Sequence, residues 1–205
     1  EAEKRQNEDR PKLVIECFAG KAPFTAAAAR LGFTVKAYEK YPFGRPGEPL
    51  PEGDLGSVHN QTQLCADIRA GKVFHVHLAP DCGSFGPLSQ LNGSTRTVEQ
   101  PQGNGTSDAE IRGNRTMALA FWIMFLCLIY GVSFGWEHPR RTRALKLRFM
   151  VWILTLTHLI YVYEYDGCAW GHRPTDYRAA DGDIRTQKSS VLVTNNAYLV
   201  VLQKA

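Results

Sequence analysis

Four short apolar segments of the chain each end next to a residue type that carries out chemistry. They are Leu13–Cys17, followed by a turn with Gly20; Thr34–Tyr38, followed by Glu39; Val73–Leu78, followed by Pro80 and Cys82; and Val132–Trp136, followed by Glu137. Short apolar runs of this kind are typical of buried strands. Because ligands of open α/β sheets bind beyond the carboxyl ends of the strands, we expect these side chains to converge on one crevice.

Helical segments alternate with these strands. A capping box, Ser107 with Glu110, predicts the start of a long helix that ends at Tyr130. The other predicted elements are helices over Thr25–Leu31 and Arg143–His158, a short helix or turn over Gln63–Ala70, and strands over Ile160–Tyr165 and Val191–Thr194. The alternation indicates the α/β class, with a mainly parallel sheet and helices on both faces. We expect one domain over residues 13–205, preceded by a charged arm over residues 1–12.

The composition limits the class of protein but not its partner. Hydrophobic residues make up 44% of the 205 residues and charged residues 21%, as in ordinary globular domains. The net charge of +4 permits a polyanionic partner without requiring one. The five scattered cysteines predict an intracellular protein, of the nucleus or an organelle. Secretion is the alternative, because N-x-S/T sequons occur at Asn60, Asn92, Asn104 and Asn114.

Two apolar segments and a pair of histidines bear on membranes and metals. Met117–Tyr130 and Phe149–Tyr163 fall short of the ~18 to 20 uninterrupted apolar residues of a membrane span, so we predict buried core elements and no span. His75 and His77 point to the same face of one strand, as two metal ligands would. No third ligand stands at a suitable spacing, and we predict no metal.

The motifs together resemble those of the DNA (cytosine-5) methyltransferases. Leu13–Thr25, LVIECFAGKAPFT, resembles the strand and glycine turn with which that family holds S-adenosylmethionine, and implies cofactor contacts from Phe18 and Gly20. Glu39 in VKAYEKYP stands where the family's acidic residue binds the ribose, and Asp67 in CADIR resembles the residue that contacts the adenine. The resemblance spans about residues 13–196. It implies a Rossmann-like methyltransferase fold and is closest to a compact branch found in protists, dinoflagellates among them.

The same resemblance implies the catalytic residues. Cys82 in LAPDCGSFGP matches the nucleophile of the family's Pro-Cys loop, in which Pro80 adjoins the cofactor, and Glu137 in WEHPRR matches the catalytic glutamate. Arg185 in RTQKSSVLVTN resembles the basic motif before the closing strand. If the chain is active its partner is DNA, and the candidate phosphate contacts are Arg140, Arg141, Arg143 and Arg185. A solvated helix face is the alternative for the cluster that follows Glu137.

The chemistry of that family explains these residue types. C5 of cytosine is a poor nucleophile until a thiolate adds at C6, which requires a cysteine. A glutamate near the ring nitrogen donates a proton to the developing charge. The base must first leave the duplex, because neither group reaches it in the stack.

Several positions depart from the family pattern. Asp81 replaces the second proline of Pro-Pro-Cys, and a carboxylate beside a thiol disfavours the thiolate. His138 replaces the asparagine after the glutamate. Ala22 and Pro23 occupy a turn where the family has more glycine and more N–H donors. No counterpart of the family's target-reading region follows Asn196.

Each candidate also has a structural interpretation. Glu39 and Glu137 are equally explained as solvated or salt-bridged carboxylates, and Asp67 as a turn residue. The remaining cysteines (17, 65, 127 and 168) and the four tryptophans (122, 136, 152 and 170) are expected in the core. The polar segment over residues 86–106 is expected to be a long functional or mobile loop.

Two functions therefore stay open. The first is a cytosine-5 methyltransferase that takes its methyl group from S-adenosylmethionine, which the retained Cys82 and Glu137 favour. The second is a non-catalytic relative that serves as a structural or interaction subunit of a larger protein assembly. Asp81, His138 and the glycine-poor turn favour the second.

Overall fold

The structure is a computed structural model that describes residues 12–40, 50–166 and 189–202. Within these ranges the strands are β1 Leu13–Cys17, β2 Thr34–Tyr38, β3 Val73–Leu78, β4 Ser133–Pro139, β5 Tyr161–Asp166 and β6 Ser189–Thr194. The α-helices are α1 Pro23–Arg30, α2 Val58–Arg69, α3 Asp108–Tyr130 and α4 Arg148–Leu154. Short 3₁₀ helices occupy Pro51–Gly53, Pro87–Asn92, Arg143–Lys146 and Ala197–Leu202.

The strands form a six-stranded sheet in the order β2-β1-β3-β4-β6-β5. The pairs β1–β2, β1–β3 and β3–β4 are parallel, whereas β5 and β6 are antiparallel. This mainly parallel sheet with intervening helices confirms the Rossmann-like α/β class predicted from the sequence.

The carboxyl ends of β1, β2 and β3 are in register, whereas β4 extends beyond them. Cys17 pairs with Tyr38 on one side and with Leu78 on the other, and Leu78 pairs with Trp136, within β4. Residues that follow β1, β2 and β3 therefore begin at one edge of the sheet, while the convergence of Cys82 and Glu137 on one crevice stays a prediction.

The described chain divides into two compact units. The first comprises residues up to Asp81 together with Thr116–Trp136, and the second comprises Cys82–Arg115 and the residues from Glu137 onward. The division does not test the prediction of a single domain. Residues 1–11 of the expected arm lie outside the described residues.

The strands β1 and β3 of the first unit are largely buried, whereas the edge strand β2 is exposed except near Tyr38. Ile15, Val76, Leu78 and Phe134 are fully buried, and Ile15 pairs with Val76 across the ladder. Continuous apolar strands are typical of parallel sheets that are covered on both faces. Four of the six strands, β1, β2, β3 and β5, lie within one residue of their predicted bounds.

The strand β4 and the helix α2 are longer than predicted. β4 continues to Pro139, so Glu137 lies within the strand rather than after its end. α2 begins at Val58, five residues before the predicted start at Gln63, because the segment VHNQTQ has no apolar period. α1 begins at Pro23, because proline is favoured in the first helical turn, where no N–H donor is needed.

The predicted helix over Arg143–His158 is divided in the structure. Residue Leu147 has an extended backbone, with φ −61° and ψ 138°, which ends the 3₁₀ helix at Lys146 and serves as the N-cap of α4. α4 ends at Leu154, before the predicted end at His158, so only part of the apolar run is helical.

The helix α3 is capped as predicted, because the Ser107 Oγ accepts the Glu110 N–H at 3.2 Å. One face supplies core residues such as Met117 and Cys127, while Trp122 and Ile129 of the same helix are about half exposed. The expectation of a core element is therefore met on one face only. By length and composition alone α3 could cross a membrane, a property that it shares with the core helices of globular proteins.

Candidate active site

The turn after β1 holds three residues in the left-handed region. Phe18, Gly20 and Ala22 have φ values of 60°, 54° and 52°. For a residue with a Cβ this conformation costs about 1–2 kcal/mol, so Phe18 and Ala22 are strained where glycine would not be. The turn is anchored to β2 by the Ala19 N–H, which donates to the Tyr38 carbonyl at 3.1 Å.

A buried carboxylate on β1 supports the helix that follows this turn. The Glu16 Oε2 accepts the Thr25 N–H at 2.8 Å and the Thr25 hydroxyl at 3.0 Å. The residue at the N-cap, Ala22, has no side chain that could do this. The sequence analysis gave Glu16 no role, although an uncapped helix after an acidic strand residue is the signal for it.

Glu39 lies against the same turn. Its Oε2 accepts the Gly20 N–H at 2.8 Å, so the carboxylate that ends β2 is joined to the backbone that follows β1. Gly53 allows a second segment to approach, because a Cβ there would stand 2.1 Å from the Glu39 carbonyl oxygen. The half-buried Glu39 is thus held from two sides.

Asp67 lies in the last turn of α2 rather than in a loop. It is buried, accepts a hydrogen bond from Gln63 Nε2 at 3.1 Å, and lies 3.7 Å from Lys72 Nζ. Its charge acts on the end of β2: burial raises the pKa of Tyr38, Lys36 opposes that effect, and Asp67 adds to it. Asp67 is therefore near Tyr38 and is engaged by its own neighbours.

Pro80 completes the set of predicted cofactor contacts in the first unit. It is buried, and the preceding Ala79 N–H donates to the Cys17 carbonyl at 3.2 Å. Phe18, Gly20, Glu39 and Pro80 thus all follow the aligned ends of β1, β2 and β3.

The histidines of β3 face one aromatic side chain. The ring of Phe24 stacks on His77 at 4.4 Å and lies 5.3 Å from His75. Burial, together with the nearby His77, lowers the pKa of His75 to about 3, and its Nδ1 lies 2.9 Å from the Ser133 hydroxyl. Among the described residues no group of three metal-ligating side chains occurs.

Cys82 begins the second unit. It is half-buried, and its carbonyl oxygen accepts the Phe85 N–H at 3.0 Å in a tight turn. Arg143, which follows the Glu137 motif along the chain, contacts this turn. Its backbone N–H donates to the Phe85 carbonyl at 3.0 Å, and its Nη1 donates to the Gly86 carbonyl at 2.7 Å. The ring of Phe85 also meets His138 edge-on, with centroids 5.9 Å apart.

Glu137 points toward the antiparallel strands of the second unit. Its Oε1 accepts the Ser190 hydroxyl at 3.2 Å, and it shares a hydrogen bond with Tyr165. Burial, and then the Glu137 charge, raises the pKa of Tyr165 well above its usual range. Tyr165 therefore stays a neutral hydroxyl donor to the carboxylate. The sequence analysis assigned no role to either hydroxyl.

The structure separates the candidate arginines by their contacts. Arg140 forms an ion pair with Glu164 at 2.6 Å, and its N–H donates to the Ser189 carbonyl. Arg143 holds the turn after Cys82, while Arg141 is exposed. Arg185 lies outside the described residues.

The segment predicted to be a loop over residues 86–106 is organised around two buried charges. Arg96 and the Glu110 carboxylate are both fully buried. Glu110 accepts hydrogen bonds from the Thr95 N–H at 2.6 Å, the Ser94 hydroxyl at 3.0 Å and the Gly105 N–H at 3.2 Å. Polar composition concealed this order, because a segment without apolar period can still be held by hydrogen bonds.

A surface pocket of about 280 Å³ lies elsewhere in the first unit. It is lined by Val58, Gln61, Thr62, Cys65, Ala66, Arg69 and Trp122, none of them a candidate site residue. The core prediction fails for Trp122 and Trp152, which are 46% and 45% exposed, and holds for Trp136. Cys17 and Cys127 are buried as predicted and Cys65 is not, while Cys168 and Trp170 lie outside the described residues.

Two of the four sequons are engaged in the fold. The Asn60 amide donates to the Pro51 carbonyl at 2.7 Å, and the Asn114 amide donates to the Gln102 carbonyl at 3.0 Å. Glycosylation of either amide nitrogen would remove these bonds. The cellular location stays a prediction.

No protein-family model and no curated protein matches the chain. Among solved structures, it resembles the Dnmt2 methyltransferase of S. pombe (TM-score 0.45, 11% identity, 89% of this chain and 49% of that one). It also resembles the methyltransferase EhMeth of Entamoeba histolytica (0.47, 9%, 91% and 53%). A third likeness is to a SAM-dependent methyltransferase of Archaeoglobus fulgidus (0.39, 8%, 95% and 92%).

The chain spans about half the length of the first two of these proteins. At such TM-scores the likenesses bear on neither the substrate nor the site residues. The compact protist branch stays a prediction.

Proposed function

We propose that the protein is an S-adenosylmethionine-dependent methyltransferase that acts on C5 of cytosine in DNA. The observation that carries the proposal is the contact set of Phe85 and Arg143. It ties the Cys82 turn to the segment containing Glu137 and His138, two motifs more than fifty residues apart. A nucleophile and an acid that act on one base require such a junction.

The turn after β1 fits the proposed cofactor in part. A Cβ at Gly20 would meet nothing within 4 Å, so space lies above the turn. Glu39 supplies a carboxylate beside that space, suited to the hydroxyls of a ribose, and the half-buried Phe18 supplies apolar surface, whereas Pro80 is buried. Asp67 is less suited to a ligand, since Gln63 and Lys72 already engage its carboxylate. When bound, S-adenosylmethionine supplies an electrophilic methyl group.

The chain's own residues carry the other steps. The Cys82 thiolate adds to C6 of the base, and the electron pair of the C5–C6 double bond moves into the ring, which makes C5 nucleophilic. Glu137 first takes up a proton from solvent and donates it to the ring nitrogen, so the charge that develops there is reduced. After C5 has gained its methyl group, a water molecule takes the C5 proton, the C6–sulfur bond breaks to release the Cys82 thiolate, and the ring nitrogen returns its proton to Glu137.

Only some of the clustered arginines are suited to contact DNA. Arg140 is paired with Glu164 and Arg143 holds the protein's own backbone. Arg141, Lys146 and Arg148 are exposed in the same region and are the better candidates for phosphate contacts.

A second function, the non-catalytic subunit, is favoured by one observation. The segment after Cys82 is held by buried Arg96 and Glu110, whereas a loop that closes over a flipped base has to move. Strain at Phe18 and Ala22 agrees with a turn that has lost glycines. In this case the partners would be proteins.

Transfer of a radioactive methyl group to DNA tests the proposal. We expect wild type to label cytosine, Cys82→Ser to abolish labelling, and Glu137→Gln to lower the rate by about 10²- to 10⁴-fold. Cys65→Ser, at a half-buried position of α2 with no proposed role, is the matched control and should leave the rate unchanged. Labelling of RNA alone would contradict DNA as the substrate. Absence of labelling, with the cofactor bound, would favour the non-catalytic function.

A further inference from the structure

The guanidinium of Arg96 is fully buried and donates hydrogen bonds from both of its Nη atoms. Its Nη1 donates to the Pro101 carbonyl at 2.7 Å and to Asn114 Oδ1 at 2.8 Å. Its Nη2 donates to the Ser84 hydroxyl and to the Glu110 carbonyl, both at 3.1 Å. A charge buried in this way is tolerated only because neighbouring oxygens satisfy its N–H groups.

The same guanidinium touches the turn that carries Cys82. Its central carbon lies 3.7 Å from the ring centroid of Phe85, which is a cation–π contact between two fully buried side chains. Phe85 in turn donates its N–H to the Cys82 carbonyl. Ser84 and Phe85, the second and third residues after Cys82 in the turn, are both buried.

A glycine in α3 is explained by this arrangement. A Cβ at Gly113 would stand 2.5 Å from Ser84 Oγ, 3.1 Å from the Phe85 ring and 3.2 Å from Arg96 Nη2. Glycine within a helix is otherwise unfavourable relative to alanine. Glycine at this position therefore indicates that the close approach of Ser84, Phe85 and Arg96 to the helix stabilises the fold by more than glycine destabilises the helix.

We propose that Arg96 is a positioning residue for Cys82: it fixes Ser84 and Phe85, and through the Phe85 N–H it fixes the backbone that presents the thiol. The guanidinium acts through this turn rather than on the sulfur. Its consequence for methyl transfer rests on the proposed function, whereas its effect on the Cys82 thiol does not.

Alkylation of the folded chain by iodoacetamide, followed peptide by peptide in a mass spectrometer, tests the proposal without cofactor or DNA. Arg96→Met should release the turn and raise the alkylation rate at Cys82 by about tenfold or more. Cys17 and Cys127, both fully buried in the first unit, should keep their protection. Arg115→Met, an exposed arginine of α3, is the matched control and should leave all rates unchanged.

A second variant separates local release from general instability. Gly113→Ala favours the helix but displaces Ser84 and Phe85, so alkylation at Cys82 should rise while the melting temperature is kept. An unchanged Cys82 rate in both variants would overturn the proposal, as would a parallel rise at Cys17 and Cys127. If the alkylation rate at Cys82 rises in Arg96→Met but wild type methylates no DNA, the proposed function is refuted and the positioning role of Arg96 stands.

Discussion

The carboxylate of Glu110 shows how one buried side chain can organise a polar segment. Burial raises the pKa of Glu110, but the bonds from Thr95, Ser94 and Gly105 outweigh it and hold that pKa below its usual value. Gly103 makes room for the carboxylate, since a Cβ there would lie 2.6 Å from it. The ionised form is therefore the one that the fold stabilises.

The lowered pKa of Glu110 predicts an acid-sensitive fold. A carboxyl group with a lowered folded-state pKa stabilises the protein above its unfolded pKa, near 4.5, and this contribution is lost as pH falls through the folded value. At pH 7, Glu110→Gln should be less stable than wild type by about 1–3 kcal/mol in the free energy of unfolding, and its melting temperature should be lower. Between pH 5 and 3 its melting temperature should change less than that of wild type. Glu99→Gln, exposed in the same segment, is the control. Equal pH dependence in Glu110→Gln and wild type would contradict this role.

At the scale of elements, the start of α1 depends on a residue of β1. The helix has no acidic residue in its first turn and no side-chain cap, so Glu16 replaces both from the neighbouring strand. A carboxylate at a helix N-terminus also meets the positive end of the helix dipole.

Replacing Glu16 should therefore loosen the whole glycine turn. Glu16→Gln keeps the volume but removes the charge, and we expect a loss of about 1–3 kcal/mol in the free energy of unfolding, measured by urea denaturation. Glu52→Gln, an exposed carboxylate of the same unit, should lose almost nothing. If the two variants are equally stable, Glu16 does not cap α1.

The sequence predicts best those elements whose buried residues recur at regular apolar positions along the chain. β1 and β3 follow from their largely apolar runs, and α3 follows from the Ser107 cap. The first half of α2 and the Arg96–Glu110 segment do not, because polar side chains that bond to distant backbone carry no period along the chain. The roles of Ser190 and Tyr165 beside Glu137 arise likewise from strand pairing, which composition does not encode.

At the scale of the molecule, the two compact units divide the proposed chemistry. The first contains the strained turn and Glu39, which are suited to the cofactor, and the second contains Cys82, Glu137 and the buried charges that hold the Cys82 turn. The roles of these residues come from the sequence motifs and stay predictions. The two hydroxyls on Glu137 and the four oxygens around Arg96 became visible only in three dimensions.

Covalent capture on fluorinated DNA tests the central claim, nucleophilic catalysis by Cys82, most directly. Fluorine at C5 of cytosine prevents the final elimination, so with S-adenosylmethionine present the protein and DNA should remain joined through the Cys82 sulfur on a denaturing gel. Cys82→Ser should abolish this adduct, and Asp81→Pro should increase it, because removing the neighbouring carboxylate favours the thiolate. If neither wild type nor Asp81→Pro forms an adduct, Cys82 is not a catalytic nucleophile and the account is wrong.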